Sequence, residues 1–89
     1  MPYIEPHRRK AIDPLLEPLL KEVHELPPGE LNYIVTKIMI NAMPSYTRYT
    51  AINELIGVLE CAKLEFFRRV AVDHEEGVRW YNGDVYERR

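Results

Sequence analysis

Two pairs of adjacent arginines carry the most specific chemistry in this chain. Arg8 and Arg9 lie near the amino terminus, and Arg68 and Arg69 lie much later. A guanidinium group presents a planar fork of N–H donors that fits phosphate or carboxylate in a bidentate manner. Arg68 and Arg69 also follow Glu65 by three and four residues, the spacing of a surface ion pair on a helix. Two readings stay open: ion pairs alone, or one arginine held by Glu65 while its neighbour binds an anion.

Glu60 is an acid with apolar neighbours three, four and seven residues away on the same predicted helix. Buried there, its carboxylate would need a cation or several donors, because an unpaired charge in apolar surroundings costs several kcal/mol. Lys63, three residues on, and Asn53, seven residues back, are possible partners. A structural ion pair is the favoured interpretation, with a ligand-facing acid or simple solvent exposure as alternatives.

These residues suggest a pocket for a small anion, such as a nucleotide, between two copies of the chain. The pocket forms if the basic segment near the amino terminus, at a helix start whose free amides favour anions, packs near Arg68 of another copy. Tyrosines, Tyr33 among them, are available for stacking. The predicted ligand-binding residues are Arg8, Arg9, Tyr33, Asn53, Glu60, Arg68 and Arg69, with no metal, no cofactor and no catalytic residue.

An enzymatic site is incomplete in this sequence. Glu22 and Glu25 have the spacing used by helical magnesium-dependent nucleotide pyrophosphatases, but neither Glu54 nor Glu60 is followed by an acid three residues later. Residues 73–76 gather carboxylates and an imidazole, yet adjacent helical residues point in different directions. No Ser-His-Asp set and no glycine-rich phosphate loop occurs. The sequence therefore favours a non-enzymatic protein.

A long helix positions most of these residues. The stretch from Tyr49 to Asp73 has no proline, and Gly57 is its only weak helix former. One apolar row follows helical spacing at Ile52, Leu55, Ile56, Leu59, Ala62, Phe66 and Val70. A second row lies around the other side at Val58, Cys61, Leu64, Phe67, Ala71 and Val72. This helix therefore needs cover on more than one face.

Prolines mark the remaining helices. Glu5-Pro6 and Asp13-Pro14 each place a capping acid before a proline suited to the first helical position. Pro27-Pro28-Gly29 ends a helix, and Pro44 ends the next one. The prediction is an all-α single domain over 1–89, three helices with a short amino-terminal turn around one long central helix. Its helices span about 6–11, 14–26, 30–43 and 50–73, with a possible extension to 81.

The carboxyl-terminal stretch has two interpretations. The helix can continue to Tyr81 and stop at Asn82-Gly83 in a left-handed conformation. Alternatively, VRWY and DVYE flank Asn-Gly as two short strands of a hairpin. The helical stop is favoured, because an isolated two-stranded hairpin is only marginally stable.

Composition limits the class of protein. The 89 residues are 46 % hydrophobic, and the formal net charge of −2 weighs against general binding to nucleic acid or anionic lipid. Cys61 is the one cysteine, and its apolar neighbours predict an inert buried thiol. No apolar run is long enough to span a bilayer, and the start of the chain lacks the apolar core of a secretion signal. We expect a soluble cytoplasmic protein without a membrane partner.

The surplus apolar surface predicts a homo-oligomer. Covering four extra side chains such as Val58, Leu64, Ile40 and Met43 would contribute roughly 1.5 to 3 kcal/mol apiece, before the costs of association. The alternative is that the tail, residues 80–86, folds back over this surface.

Three segments, which together exceed half of the chain, resemble a known family. They are GELNYIVTKI (29–38), INELIGVLECAKLEFFRRV (52–70) and NGDVY (82–86). The chain is similar here to a family of short uncharacterised proteins of tailed-phage and prokaryotic genomes. The resemblance implies a compact helical fold and a helix that leads into Asn82-Gly83, in the host cytoplasm if phage-encoded. It implies no activity.

Three functions follow as expectations. The first is a non-enzymatic, oligomeric binding protein that holds or sequesters a small anionic, nucleotide-like ligand at a subunit interface. The second is a protein-interaction or inhibitor protein that docks on a protein partner through its apolar helix surface. The third is a small magnesium-dependent nucleotide hydrolase.

Overall fold

The structure, a computed structural model, describes residues 2–46 and 48–86. Its helices are α1 (Pro6–Leu20), α2 (Pro28–Ala42), α3 (Tyr49–Phe66) and α4 (Val72–Asn82). A 3-10 turn spans Val23–Glu25, and a π-helical turn spans Phe67–Ala71. Across the described ranges there is no strand, so the predicted all-α class is confirmed.

Helix α1 is one helix where the sequence predicted a short turn at 6–11 and a second helix at 14–26. Pro6 occupies its first turn as predicted, but the Glu5 side chain makes no capping bond, and Asp13 lies inside the helix. Pro14 and Pro18 also lie inside it. Each proline removes one backbone hydrogen bond, but both are exposed, so water can hydrate the carbonyls left without a donor.

The end of α1 also differs from the prediction. The helix stops at Leu20, and the chain then tightens into the 3-10 turn before Leu26 takes an extended conformation with ψ of 134°. Extended backbone is what a residue before proline prefers, here Pro27. Pro28 and Gly29, expected to lie between helices, instead open α2, because proline is preorganised for the first helical position.

The predicted long helix is longer than 50–73. Phe66, Ala71 and Val72 all have right-handed helical backbone, so α3, the π turn and α4 follow one another without a break. Within the π turn, the Val72 amide donates to the Phe67 carbonyl, five residues back. Because a π turn uses more residues than an α turn, it rotates the following side chains relative to an uninterrupted α-helix.

Helix α4 ends at Asn82, which confirms the helical stop and excludes the hairpin over the described residues to 86. Gly83 has φ of 88° and ψ of 156°, and its amide donates to the Arg79 carbonyl at 2.8 Å. Only glycine adopts this backbone without strain, because any Cβ would be crowded there.

The described chain contains two units, Pro2–Ile56 and residues 57–86. In Pro2–Ile56 the half-buried residues are all apolar, and they recur mostly at helical spacing. They are Ile12, Leu16, Leu19, Val23, Leu26, Ile34, Met39, Met43, Ala51, Ile52 and Leu55. Leu15 and Leu20 on α1 are 79 % and 55 % exposed.

In residues 57–86 only Gly57, Glu65 and Ala71 are half-buried, and every other residue is exposed. Neither unit has a described residue that is fully buried. The prediction of a single domain over 1–89 stays a prediction.

Candidate functional site

The clearest feature of residues 57–86 is an apolar row along the long helix. It consists of Leu59, Ala62, Phe66, Val70 and Val78, at spacings of three and then four, with His74 between the last two. The π turn lies between Phe66 and Val72, where it offsets the drift that repeated four-residue steps produce on an α-helix. The large aliphatic and aromatic members are between 39 % and 68 % exposed. We call this set the apolar row.

The tail does not cover the helix. Val58, Leu64 and Phe67 are each more than half exposed, although the tail residues 83–86 belong to the same unit. The alternative in which residues 80–86 fold back over Val58 and Leu64 is therefore wrong. The buried thiol expected at Cys61 is also wrong, because Cys61 is exposed on the same helix.

Arg68 and Arg69 both lie in the π turn. The Arg68 guanidinium donates to the Glu65 carboxylate at 2.7 Å, which confirms the predicted ion pair. Arg69 makes no ion pair with any described residue, although Glu65 lies one turn before it. Because side chains four residues apart are neighbours on a helix, Glu65 was within reach of either arginine. The arrangement leaves one guanidinium held and the other available to an anion.

Glu60 forms the ion pair that was the favoured interpretation. The Lys63 ammonium lies 3.3 Å from the Glu60 carboxylate, and both side chains are more than half exposed. Water therefore solvates both charges, so the pair needs no further donor. Leu64 and Phe67, which neighbour Glu60 on the helix, are more than half exposed, so the Glu60 carboxylate does not lie in the buried apolar surroundings that the sequence suggested.

Arg8 and Arg9 lie in the first turn of α1 and are exposed. The Arg9 Nε donates to the Ile4 carbonyl at 2.9 Å, whereas the Arg8 guanidinium has no ion pair among residues 2–46 and 48–86. Tyr33, on α2, is 61 % exposed, and Asn53, on α3, is exposed as well.

The predicted ligand-binding residues are divided between the two units. Arg8, Arg9, Tyr33 and Asn53 belong to Pro2–Ile56, and Glu60, Arg68 and Arg69 belong to residues 57–86. Within the second unit, Glu60 and Arg68 lie about two helical turns apart. The anion pocket between copies stays a prediction.

The carboxyl-terminal end of α4 was considered in the sequence only as a possible cover for the apolar surface of the long helix. Trp80, Tyr81, Val85 and Tyr86 are all between 85 % and 90 % exposed. An open groove of about 540 Å³ runs beside them and is lined by Asp73, His74, Gly77, Val78, Tyr81 and Asn82. The signal in the sequence was the density of aromatic residues after position 77. We call Trp80, Tyr81, Val85 and Tyr86 the aromatic end.

Two further searches of the described residues returned nothing. No three histidine, cysteine, aspartate or glutamate side chains within residues 2–46 and 48–86 are placed to share a metal ion. In the same ranges, no helix combines the length and apolar character that crossing a bilayer requires. Glu22 and Glu25, the acids of the hydrolase hypothesis, lie at and within the short 3-10 turn, outside α1 and α2.

Fold and surface together define a small all-helical protein whose long helix exposes an apolar row beside Arg69, which has no ion pair with any residue that the structure describes. The chain belongs to the family described as Domain of unknown function (DUF6899), which matches residues 1–85. No curated protein and no solved structure matches the chain.

Proposed function

We propose that this protein is a non-enzymatic binding protein that works as a homo-oligomer, with copies associating through the apolar row. Association would bury side chains that the chain alone leaves in water. The ligand-binding part of the proposal concerns a small anion at the resulting interface.

One observation carries the association: no described residue is buried, although 46 % of the chain is hydrophobic. The chain exposes 8585 Å² of accessible surface at a mass of 10.5 kDa. Folded monomers of that mass expose about 5,400 Å² by the usual scaling of surface with size. Monomers rarely leave this many large hydrophobic side chains exposed, because each exposed aliphatic or aromatic side chain forgoes burial energy.

The excess area is large enough for a stable interface. A standard protein interface buries roughly 800 Å² on each partner, and obligate homodimers bury more. The apolar row supplies Phe66 and Val70 at its centre, with Leu59 and Val78 towards its ends. Aromatic side chains such as Phe66 are enriched at the desolvated centre of interfaces, where most of the association energy is concentrated.

Sedimentation equilibrium tests the association over a micromolar range of concentrations. We expect a mass of at least twice 10.5 kDa. Phe66→Glu should weaken association by at least about a hundredfold, because it buries an unpaired carboxylate in the contact. Leu15→Glu is the matched control, since Leu15 is 79 % exposed on α1 and lies outside the apolar row.

A monomer of 10.5 kDa at every concentration would contradict the proposal. A monomer that stays bound to a second protein during gentle purification, and loses it in Phe66→Glu, would favour a protein-interaction or inhibitor role. Equal weakening by Phe66→Glu and Leu15→Glu would remove the apolar row as the contact.

The anion-binding part is supported by Arg69, which has no ion pair among the described residues while Arg68 is held by Glu65. Both arginines lie in a π turn, a rare element that is frequent at functional sites. A free guanidinium binds phosphate bidentately, and water exclusion at a subunit interface would strengthen that contact. A nucleotide also has a base that an exposed tyrosine can stack on.

Titration calorimetry with nucleoside mono-, di- and triphosphates and with inorganic phosphate tests this part. Arg69→Gln should abolish the heat of binding, and Arg68→Gln should reduce it less, because Arg68 already donates to Glu65. Equal losses in both variants, or no heat with any anion, would contradict it. Release of pyrophosphate with magnesium would instead revive the hydrolase hypothesis.

The setting we propose follows the resemblance in residues 29–38, 52–70 and 82–86. The protein is of phage origin and acts in the cytoplasm of the host. A sequestering protein suits that setting, since it needs only affinity and abundance and no turnover.

A further inference from the structure

We propose that the aromatic end of α4 on one copy binds the basic segment 7–10 of a second copy. This contact rests on the proposed association and adds a second, polar part to the interface. It assigns an occupant to the most exposed aromatic surface of the described chain.

Local ion pairs and hydrogen bonds order the backbone around the aromatic end. Arg79 forms ion pairs with Glu76 and, at 3.7 Å, with Asp84. The Gly83 amide donates to the Arg79 carbonyl, and the Tyr86 amide donates to the Asp84 carboxylate at 2.9 Å. These bonds fix the chain after Asn82, so Trp80 and Tyr86 stay in water at 88 % and 85 % exposure. Backbone that is already ordered loses little conformational entropy when a partner covers it.

The charges around the aromatic end are mainly negative. Over residues 73–86 the acids are Asp73, Glu75, Glu76 and Asp84, against Arg79 as the one arginine and no lysine. Arg79 pairs with Glu76 and Asp84, whereas Asp73 and Glu75 have no ion pair within the described ranges. A partner for this surface should therefore be cationic as well as able to stack on aromatic rings.

Segment 7–10 of the same sequence has both properties. It reads His-Arg-Arg-Lys at the start of α1, and all four residues are exposed. Neither Arg8 nor Lys10 has an ion pair with a described residue, so both cations are available to a partner. Arginine stacks on tryptophan and tyrosine faces through its planar guanidinium, which adds to the charge attraction. In a two-fold dimer this contact occurs twice.

A complementation experiment tests the contact in trans. One variant carries Asp73→Lys and Glu75→Lys, which reverse the unpaired acids and leave the Arg79 ion pairs in place. The other carries Arg8→Glu and Lys10→Glu. Each alone should associate at least about tenfold more weakly than the unaltered chain at low salt, because like charges then face each other.

An equimolar mixture of the two variants should recover association to within about twofold of the unaltered chain, since both contacts in the mixed dimer are then complementary. Sedimentation velocity with a fluorophore on the variant that carries Arg8→Glu and Lys10→Glu measures the mixed association directly. The control replaces the first variant by Glu22→Lys with Glu54→Lys, which makes the same change in net charge away from α4. Recovery by that control would show attraction by net charge alone and overturn the contact.

The outcomes separate the two proposals. If the unaltered chain associates but neither double variant weakens it, the charge contact is wrong and the proposed function stands. If the double variants change thermal stability and not association, the contact lies within one chain and the inference fails. If the unaltered chain is monomeric throughout, the proposed function fails and the contact has no partner.

Discussion

Residues 2–56 and residues 57–86 use the same helical spacing of apolar side chains with opposite results. In the first unit, Ile12, Leu16 and Leu19 are half-buried at that spacing. In the second, Phe66 and Val70 occupy equivalent positions of a helical row but are 68 % and 50 % exposed. Periodicity alone therefore does not decide burial. In the first unit, the 3-10 turn Val23–Glu25 contacts α1.

The difference assigns separate tasks to the two units. The first contains α1, α2 and the start of α3, whereas the second consists of the rest of the long helix and a short tail. An isolated helix is marginal in water, because most helical stability in proteins comes from packing of the apolar face. We therefore expect the first unit to set intrinsic stability and the second unit to depend on a partner.

The largest effect should come from Leu16→Ala in the first unit. Leu16 is half-buried on α1, so its truncation should lower the free energy of unfolding by about 2 kcal/mol at any protein concentration. Leu15→Ala, one residue earlier and 79 % exposed, should change it by less than about 0.5 kcal/mol. Urea denaturation followed by circular dichroism measures both. Equal effects would show that α1 has no inward face.

Gly83→Ala should have the next largest effect, in the second unit. Its φ of 88° with ψ of 156° is a conformation that alanine adopts only at a cost of about 1–2 kcal/mol, so the end of α4 should fray. The matched control is Gly77→Ala, inside α4, where a Cβ meets nothing within 4 Å and alanine should favour the helix. Amide hydrogen exchange at residues 79–83 reports the fraying. Unchanged protection in Gly83→Ala would contradict the strain.

Several features of the fold could be predicted from residue types. Proline at the first helical position marked the start of α1 at Pro6, and Asn82-Gly83 marked the end of α4. These are local signals, in which the backbone preference of one residue or one turn decides the structure.

Other features were beyond a local pattern. Proline inside a helical pattern usually ends the helix, but Pro14 and Pro18 do not. Whether water can hydrate the carbonyls that they leave without a donor depends on their exposure, which the sequence does not state. The π turn at Phe67–Ala71 has no composition signal and still changes which residues share a face. Glu60 was interpreted as an acid in an apolar setting, because its neighbours on the helix were assumed to be covered. The ion pairs of Glu60 and Glu65 were predictable, since they need only helical spacing.

Gly57→Ala should sharpen the position of the interface with a smaller effect. A Cβ at Gly57 meets nothing within 4 Å, so alanine should stabilise the long helix by about 0.5–1 kcal/mol. Gly57 lies outside the apolar row, so the gain should persist at protein concentrations that favour association. Thermal denaturation at low and high concentration tests this. A loss of stability confined to high concentration would mean that copies pack against Gly57, and the interface would have to be moved to that side of the helix.

The smallest effect should come from the Glu60–Lys63 ion pair. Both side chains are more than half exposed at an N–O distance of 3.3 Å, so water and salt screen the attraction, and Lys63→Gln should cost only about 0.2–0.5 kcal/mol. The cost should fall further as sodium chloride rises, because the Debye length shortens. A double-mutant cycle that compares the thermal stability of Lys63→Gln, Glu60→Gln and the double variant isolates the pair from other contacts of either side chain. A coupling well above 1 kcal/mol that resists salt would mean that a second copy buries this pair, and the contact surface would then extend from the apolar row to Glu60.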